Sequence, residues 1–214
     1  MGDINLHLGD CMEAMAKMPD NAYDLAIVDP PYGLDLALNG QFAKYGGSSK
    51  WDCRPKAEYF HELFRVSKNQ IIWGWNYMTD LLPPCKGFIY WNKMNHHDNR
   101  SDGELAFCSI KGLSRHFEYM WDGNRYGTPN NIKGVGKKSI RIHPTQKPVA
   151  LYKWLLHNYA KEGDKILDTH GGSMSIAIAC HDMNFDLDLW ELDPEYYQKG
   201  VERFNQHKAQ LRMF

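Results

Sequence analysis

The chain has 214 residues, of which 43% are hydrophobic and 13% aromatic, and a net charge of -1. This length fits one domain with at most a modest insertion, and the composition excludes wholesale disorder. There is no long apolar run, and residues 1–10 lack the features of a signal peptide. Five scattered cysteines without a Cys-x-x-Cys pair argue against a disulfide framework and a zinc site. We therefore expect a cytoplasmic protein with reduced thiols.

Hydrophobic spacing predicts strands that alternate with helices along most of the chain. The alternation lapses at residues 123–136, a Gly- and Asn-rich stretch that we predict to be irregular. This order predicts an α/β fold with a parallel sheet covered by helices on both faces. The predicted strands are residues 4–8, 23–28, 70–73, 88–91, 105–110, 116–121, 165–168 and 186–191. The predicted helices are residues 11–18, 56–66, 148–159, 176–180 and 194–207.

Charge is distributed unevenly along the chain. Residues 93–153 carry a net charge of +6, whereas residues 1–92 carry -3 and residues 154–214 carry -4. Within the basic segment, residues 131–153 contain six Lys or Arg residues and no carboxylate. Such a stretch either binds a polyanion or is a solvated basic loop, and charge alone leaves both open.

The sharpest motif is Asp29-Pro30-Pro31-Tyr32, directly after an apolar strand. The two prolines stiffen the chain and remove two N–H donors, so this corner presents carbonyl oxygens as acceptors. A carboxylate beside a proline carbonyl suits an exocyclic NH2 group with its two donors, and Tyr32 offers a face for a planar base. The motif predicts chemistry on a nucleobase amino group. The alternative is a proline-stiffened turn with a capping Asp.

A second motif lies between the strand at residues 165–168 and a helix. Its glycines let the backbone approach a ligand closely, and its first carboxylate can accept from an ammonium or hydroxyl group. The next strand ends at Glu191, where an acid can accept hydrogen bonds from two ribose hydroxyls. The spacing favours a nucleoside-like cofactor over a simple tight turn. The motif consists of Asp168, Thr169, His170, Gly171, Gly172 and Ser173.

A third motif, His143-Pro-Thr-Gln-Lys-Pro148, lies in the acid-free basic stretch just before a predicted helix. Lys147 and the N–H groups of the first helical turn can hold a carboxylate or phosphate, and Thr145 adds a hydroxyl donor. Taken alone, the segment is a capped helix start. His96, His97, Asp98 and Asp102 lie near one another in sequence, but no second ligand group follows at zinc spacing, so we predict no metal.

These motifs, in this order, resemble the β-class S-adenosylmethionine-dependent DNA amino-methyltransferases over nearly the whole chain. The family has a catalytic half first, then a target-recognition region, then the cofactor motifs, and this sequence has the same permuted order. The resemblance implies a doubly wound, mostly parallel, seven-stranded Rossmann-like sheet, circularly permuted, in one domain over residues 1–214. It also implies a small recognition insertion at residues 92–142 and S-adenosylmethionine as cofactor.

The resemblance assigns roles to individual residues. Asp29 would accept from the target amino group, Pro30 would supply a carbonyl acceptor within the rigid corner completed by Pro31, and Tyr32 would stack on the base. Asp10 would contact the adenosine part of the cofactor and Glu191 its ribose. The methionine end would be lined by Asp168, Thr169, His170, Gly171, Gly172 and Ser173, with Thr145 and Lys147 nearby. DNA phosphates would be contacted by Lys133, Lys137, Lys138 and Arg141.

The activity implied is methylation of adenine N6 in double-stranded DNA, because Asp at the first motif position leans towards adenine within the family. Cytosine N4 is the alternative target, since it is also an exocyclic amine. A DNA-binding relative that has lost turnover is a second alternative, because residues 169–174 depart from the Pro-Phe and Gly-Ser-Gly pattern of many members. Methylation of RNA or of a protein amide is a third. We expect DNA as partner and consider a homodimer.

Overall fold

The computed structural model describes residues 2–34, 52–85, 87–95, 101–110, 112, 114–122, 125–134 and 141–210. Eleven strands and five α-helices are found in these residues. The strands are β1 (Ile4–Leu8), β2 (Leu25–Val28), β3 (Gln70–Trp73), β4 (Phe88–Asn92), β5 (Gly103–Cys108), β6 (Arg115–Glu118), β7 (Met120–Trp121), β8 (Arg125–Thr128), β9 (Asn131–Gly134), β10 (Lys165–Asp168) and β11 (Asp186–Glu191). The helices are α1 (Cys11–Met15), α2 (Ala57–Val66), α3 (Val149–Tyr159), α4 (Ser175–Met183) and α5 (Pro194–Ala209).

The central sheet has the strand order β1-β11-β10-β2-β3-β5-β4-β6. Its pairs are parallel except for β3 with β5 and β5 with β4. The predicted α/β fold with a mostly parallel sheet is therefore confirmed. The described sheet has eight strands rather than the expected seven, because β6 pairs with β4 and extends that edge.

The central strands are buried on both faces, as their continuous apolar sequences require. In β2, Leu25 and Ile27 pack with α3, α4 and α5, whereas Ala26 and Val28 pack on the opposite face with α1 and α2. Side chains alternate between the faces of a strand, so each face of the sheet gains its own apolar core. The sheet is thus doubly wound, with helices on both sides.

The strands that carry the sequence motifs end at one edge of this sheet. The strand order reverses between β10 and β2. After β10 the chain continues to β11 on one side of this pair, and after β2 it continues to β3 on the other side. Ligands bind at such switch points, beyond the carboxyl ends of the strands. β5 runs antiparallel to β3, so its first residues lie at this same edge.

The stretch predicted to be irregular instead contains β8 and β9. They pair with each other and β8 pairs with β7 in a separate antiparallel sheet of three strands. Thr128 pairs with Asn131, so Pro129 and Asn130 form a two-residue turn, a role that both residue types suit. Of residues 92–142, β5 and β6 belong to the central sheet and β7 to β9 do not.

None of the described helices is long and apolar enough to cross a bilayer.

Candidate active site

A cavity of about 730 Å³ opens at the carboxyl edge of the central strands. Small-molecule sites have volumes of roughly 300–1,000 Å³. The corner that follows β2 forms one wall, and the turn that follows β10 forms another. All the residues predicted for catalysis and cofactor binding line this cavity except Asp168. They are Asp10, Asp29, Pro30, Pro31, Tyr32, Thr145, Lys147, Thr169, His170, Gly171, Gly172, Ser173 and Glu191.

The corner after β2 is fixed by contacts of Tyr32. Its hydroxyl donates to Asp29 Oδ1 at 2.7 Å, and its ring stacks on Tyr77 with centroids 5.1 Å apart. Gly74 lies directly against this ring, since a Cβ built there would be 2.2 Å from Tyr32 Cε1. Gly74 also has a φ of +76°, a backbone conformation that glycine adopts at little cost. These contacts fix the position of the Tyr32 ring.

A buried lysine binds this corner. Lys147 Nζ is 2.5 Å from Asp29 Oδ2 and 3.0 Å from Glu104 Oε2, and it donates to the Tyr32 hydroxyl at 3.2 Å. Only 3% of Lys147 is exposed, and its ammonium lies 5.4 Å from the centroid of the Trp73 ring. The ammonium is thus shared between two carboxylates inside the protein.

Burial and charge act against each other in this network. Burial raises the pKa of Asp29 above its ordinary value, and the Lys147 charge limits the rise. For Lys147, burial alone would lower the pKa, but the charges of Asp29 and Glu104 outweigh it and the pKa is raised. Burial likewise opposes ionisation of Glu104, yet Lys147 and Lys93 lower its pKa to about 2. The lysine charges therefore offset the desolvation of these two partly buried carboxylates.

Glu104 is a site residue that the sequence analysis missed. It lies in β5, one residue before the strand predicted there and within the segment assigned to target recognition. Because β5 is antiparallel, its beginning lies at the edge where β3 ends, and Glu104 reaches the corner after β2. Lys93, which follows β4, pairs with Glu104 from the other side. Lys147 was expected near the methionine end of a cofactor, but its ammonium lies against Asp29.

The glycine-rich turn after β10 is held against β11 by its backbone. Gly171 N donates to the Trp190 carbonyl at 2.8 Å, and a Cβ on Gly171 would be 2.3 Å from Leu189 Cδ2. Gly172 N donates to Glu191 Oε2 at 2.6 Å, and Asp193 N donates to Glu191 Oε1 at 2.8 Å. A carboxylate has about four acceptor sites, so Glu191 keeps capacity for ligand hydroxyls.

Asp168 lies behind the cavity wall. It is 2% exposed, and its Oδ1 accepts from His170 N at 3.0 Å. Within the described part of the chain, no lysine or arginine lies within ion-pair distance of it. Burial accordingly raises the pKa of Asp168 to about 8. At neutral pH this carboxyl is mostly protonated and supports the turn as a neutral group.

The side chains that follow Asp168 are tied to α2. Thr169 Oγ1 lies 2.7 Å from the Tyr59 hydroxyl and 2.9 Å from His170 Nδ1. The His170 ring meets the Tyr59 ring edge-on, with centroids 5.3 Å apart. Burial lowers the pKa of His170 to about 4, so the imidazole is neutral at pH 7. Tyr59 also lines the cavity and was not predicted.

Two further walls carry polar groups. Asp10 caps α1 by accepting from Met12 N at 2.7 Å, and it is exposed. Thr145 Oγ1 lies 3.1 Å from His143 Nδ1, and the His143 ring contacts Tyr196. Burial, and then the charge of Lys147, lower the pKa of His143 to about 3. His143 lines the cavity as a neutral ring.

Of the residues expected to contact DNA phosphates, the two that the structure describes, Lys133 and Arg141, do not line the cavity. Lys133 is exposed on β9, and the Arg141 guanidinium lies 5.5 Å from the centroid of the Trp121 ring. Lys137 and Lys138 are outside the described residues, as are His96, His97 and Asp98.

A separate group of potential metal ligands, His181, Asp182 and His207, meets between α4 and α5. Lys153 Nζ lies 2.6 Å from Asp182 Oδ2 in this group.

Solved structures with this fold include several DNA methyltransferases. The PvuII DNA methyltransferase, described as cytosine-N4-specific, has a TM-score of 0.63 at 12% identity, covering 100% of this chain and 89% of that one. A putative DNA modification methylase from Thermus thermophilus, complexed with S-adenosyl-L-methionine, has a TM-score of 0.60 at 17% identity, covering 97% and 95%. These similarities show a common fold.

Sequence comparisons identify the family. The type II methyltransferase M.HpaI from Haemophilus parainfluenzae is 26% identical over 95% of this chain and 74% of its own length. The putative methylase YubD from Escherichia coli strain K12 is 24% identical over 91% of this chain and 87% of its own. A family model described as DNA methylase, of the N6/N4 type, matches residues 90–202, more than half of the chain. That match spans Glu104, Lys147 and the turn after β10, and the chain belongs to the N6/N4 family of DNA methylases.

Proposed function

We propose that the protein transfers a methyl group from S-adenosylmethionine to the N6 amino group of adenine in double-stranded DNA. The observation that carries this proposal is that the Asp29-Pro30 corner and the turn from Thr169 to Ser173 face one cavity. A methyl donor held by the turn would lie beside an amino group held by the corner. Family membership supports the same reaction.

The described residues fit this cofactor. Glu191 is held by two backbone N–H groups and retains acceptor sites, which suits a pair of ribose hydroxyls. Asp10 lines the same cavity and would contact the nucleoside part, and the turn at Gly171 and Gly172 brings backbone, without side chains, to the cavity. When bound, S-adenosylmethionine supplies a methyl group already activated by the sulfonium charge. The protein therefore needs mainly to align the target nitrogen with it.

The corner after β2 can prepare that nitrogen. An amino group conjugated with a purine ring is a poor nucleophile. Asp29 and the Pro30 carbonyl would accept its two N–H hydrogens, favour a more tetrahedral nitrogen and stabilise the positive charge that grows on it. After transfer, the N–H bond of the cationic product breaks and the proton passes to Asp29 or to water. A strong base is not required for this step.

The target base must leave the duplex to reach this corner. Enzymes that act on a base rotate it out of the stack and recover part of the lost energy by stacking it on side chains. The Tyr32 ring is fixed by Tyr77, Gly74 and its bond to Asp29, so it is preorganised to stack on the rotated base. It would place the amino group next to the acceptors.

Cytosine N4 is the second candidate target. It presents the same two N–H donors, and a neighbour of this fold is described as cytosine-N4-specific. The deciding experiment incubates the protein with duplex DNA and S-adenosylmethionine, digests the DNA and separates the nucleosides by mass spectrometry. We expect N6-methyladenine. N4-methylcytosine would replace the adenine proposal, and unmodified DNA that is still bound by the protein would favour a binding relative without turnover. A duplex RNA competitor tests the remaining alternative.

We also propose that DNA phosphates contact the basic segment that includes Lys133 and Arg141, in and after the small sheet of β7 to β9. Each phosphate contact releases counterions, so binding weakens as salt rises. Lys133→Glu should lower DNA affinity several-fold and reduce the slope of log K against log salt by about 1. Lys161→Glu, an exposed lysine in the acidic last third of the chain, is the matched control and should change neither. Equal effects of both variants would contradict this surface. A homodimer on duplex DNA stays a prediction. Analytical ultracentrifugation of the protein with DNA measures whether it binds as a monomer or as a dimer.

A further inference from the structure

We infer that Lys147 and Glu104 are positioning residues for Asp29: Lys147 fixes its carboxylate as a charged acceptor, and Glu104 shares that ammonium so that Asp29 stays basic. The inference rests on the proposed methyl transfer and deepens it. It concerns Glu104, which was outside the motifs, and Lys147, which was expected to serve the cofactor.

Both oxygens of Asp29 are held by different groups. Oδ1 accepts from the Tyr32 hydroxyl at 2.7 Å, and Oδ2 lies 2.5 Å from Lys147 Nζ. Two such contacts fix the rotation of the carboxylate group, and they leave acceptor sites on each oxygen for a target amino group. The side chain of Lys147 is 2% exposed, so water does not compete for its ammonium. The Asp29 carboxylate is thereby oriented before substrate binds.

Glu104 contacts the same ammonium. Its Oε2 is 3.0 Å from Lys147 Nζ and 3.4 Å from the Tyr32 hydroxyl, and its Oε1 pairs with Lys93. A lysine that belonged to Asp29 alone would make Asp29 a weaker base. Sharing the ammonium limits that effect, because Glu104 withdraws part of the stabilisation from Asp29. Asp29 can then take the proton released after transfer.

Lys147 and Glu104 are the charged neighbours that shift the pKa of Asp29. Desolvation raises the pKa values of the buried Tyr59 and Tyr152 and of the partly buried Tyr32 well above their ordinary value, so these hydroxyls face Asp29 as neutral groups. Asp168, with a pKa of about 8, is mostly neutral at pH 7. Lys147 lowers the Asp29 pKa and Glu104 raises it. Removing each charge must therefore move the Asp29 pKa in opposite directions.

The first test measures the Asp29 pKa directly, without cofactor or DNA. Aspartate carboxyls are labelled with carbon-13, and the Asp29 signal is identified as the one missing from Asp29→Asn. We expect Lys147→Met to raise the Asp29 pKa by one unit or more and Glu104→Gln, which keeps an oxygen for Lys147, to lower it. Lys153→Met removes a lysine of another ion pair, with Asp182, and should leave it unchanged. Shifts in the same direction, or none, would overturn the inference.

The second test follows methyl transfer against pH with saturating cofactor and DNA. The acidic limb of kcat should move to higher pH in Lys147→Met and to lower pH in Glu104→Gln, with the KM for S-adenosylmethionine nearly unchanged in the latter. Lys147→Arg keeps the charge and should return the limb towards its wild-type position. A purely structural role would lower the rate without moving the limb, which would count against the inference.

Two safeguards keep the outcomes separable. If Lys147→Met does not fold, Glu104→Gln decides alone: a lowered Asp29 pKa supports the inference and an unchanged or raised one rejects it. The proposed function fails if the wild-type protein leaves no methylated nucleoside in DNA. The inference fails separately when the wild type methylates DNA and the opposite shifts are missing.

Discussion

Two aspartates lie at the carboxyl ends of neighbouring strands, at the same edge of the sheet, yet their surroundings differ. Asp29 follows β2 and is paired with the ammonium of Lys147 at 2.5 Å. Asp168 ends β10, and its described partner is the backbone N–H of His170. Burial raises the pKa of both carboxyls, but that of Asp168 reaches about 8. The charge of Lys147 opposes the effect of burial on the Asp29 pKa, whereas among the described residues no lysine or arginine lies within ion-pair distance of Asp168.

This difference separates a chemical from a structural role. A charged carboxylate can accept from a target amino group and stabilise the cation formed on it. A neutral, buried carboxyl can hydrogen-bond to the backbone and fix the turn whose glycines line the cavity. The corner after β2 and the turn after β10 therefore contribute different things to one site.

The largest effect should come from the charged member of the pair. Asp29→Ala removes the acceptor and should lower kcat for methyl transfer about 100- to 1,000-fold, in line with the loss of one preorganised group at a developing charge. Affinity for S-adenosylmethionine should change little, because the turn after β10 is untouched. Single-turnover transfer of labelled methyl to DNA measures the rate, and calorimetry measures the affinity.

The matched control is Asp80→Ala, which removes an exposed aspartate paired with Arg54. A wild-type rate in Asp29→Ala, or an equal loss of rate in Asp80→Ala, would contradict the chemical role assigned to Asp29.

A smaller effect is expected in the turn. Gly171→Ala places a Cβ at 2.3 Å from Leu189 Cδ2 and 3.3 Å from the Trp190 carbonyl. The Leu189 side chain or the turn itself must shift, so unfolding should require about 1–3 kcal/mol less free energy, with weaker cofactor binding. Urea unfolding and a cofactor titration measure both. Gly112→Ala is the control, since no described atom beyond its chain neighbours lies within 4 Å of its added Cβ; equal losses there would show that the clash is not the cause.

The last effect concerns how the Asp168 contribution to stability depends on pH. Its folded pKa of about 8 lies above the unfolded value of about 3.9, so the folded state holds a proton that the unfolded state has lost. The contribution to stability is complete below pH 4 and is lost as pH rises to 8, by at most about 1.4 kcal/mol per pH unit. Asp168→Asn should flatten this slope.

Urea unfolding of wild type and Asp168→Asn at several pH values between 5.5 and 8.5 measures that slope. Asp24→Asn is the comparison variant. Asp24 accepts from Lys165 N and pairs with Lys68, which lower its pKa, so its contribution falls only at acidic pH. If Asp168→Asn keeps the wild-type slope, Asp168 is not a neutral group at pH 7.

Much of the site was predictable because its motifs are local. The Asp29 corner, the turn from Thr169 to Ser173 and Glu191 each follow a strand whose apolar sequence is recognisable. Parallel strands end at one edge, so the motifs were expected to meet there, and they line one cavity. The predicted α/β fold, family and DNA amino-methyltransferase chemistry are confirmed at the level of the family. The choice of adenine over cytosine stays a prediction.

The predictions that failed depend on pairing between distant segments. Residues 123–136 looked irregular because β8 and β9 are short and rich in polar residues, and such strands are stabilised by their partners rather than by their own pattern. The strand predicted at residues 116–121 is divided between β6 of the central sheet and β7 of the small sheet, and no local signal marks the place of β6 beside β4.

The sequence by itself determined the alternation of strands and helices, the rigid acceptor corner at Asp29 and the glycine-rich turn, because each follows from torsional limits and hydrophobic spacing within a few residues. Only the tertiary structure decided that Lys147 and Glu104 meet beside Asp29, and that Lys93 pairs with Glu104. The reason is physical: an antiparallel strand brings its beginning to the edge where parallel strands end, and buried charges persist only where opposite charges meet them.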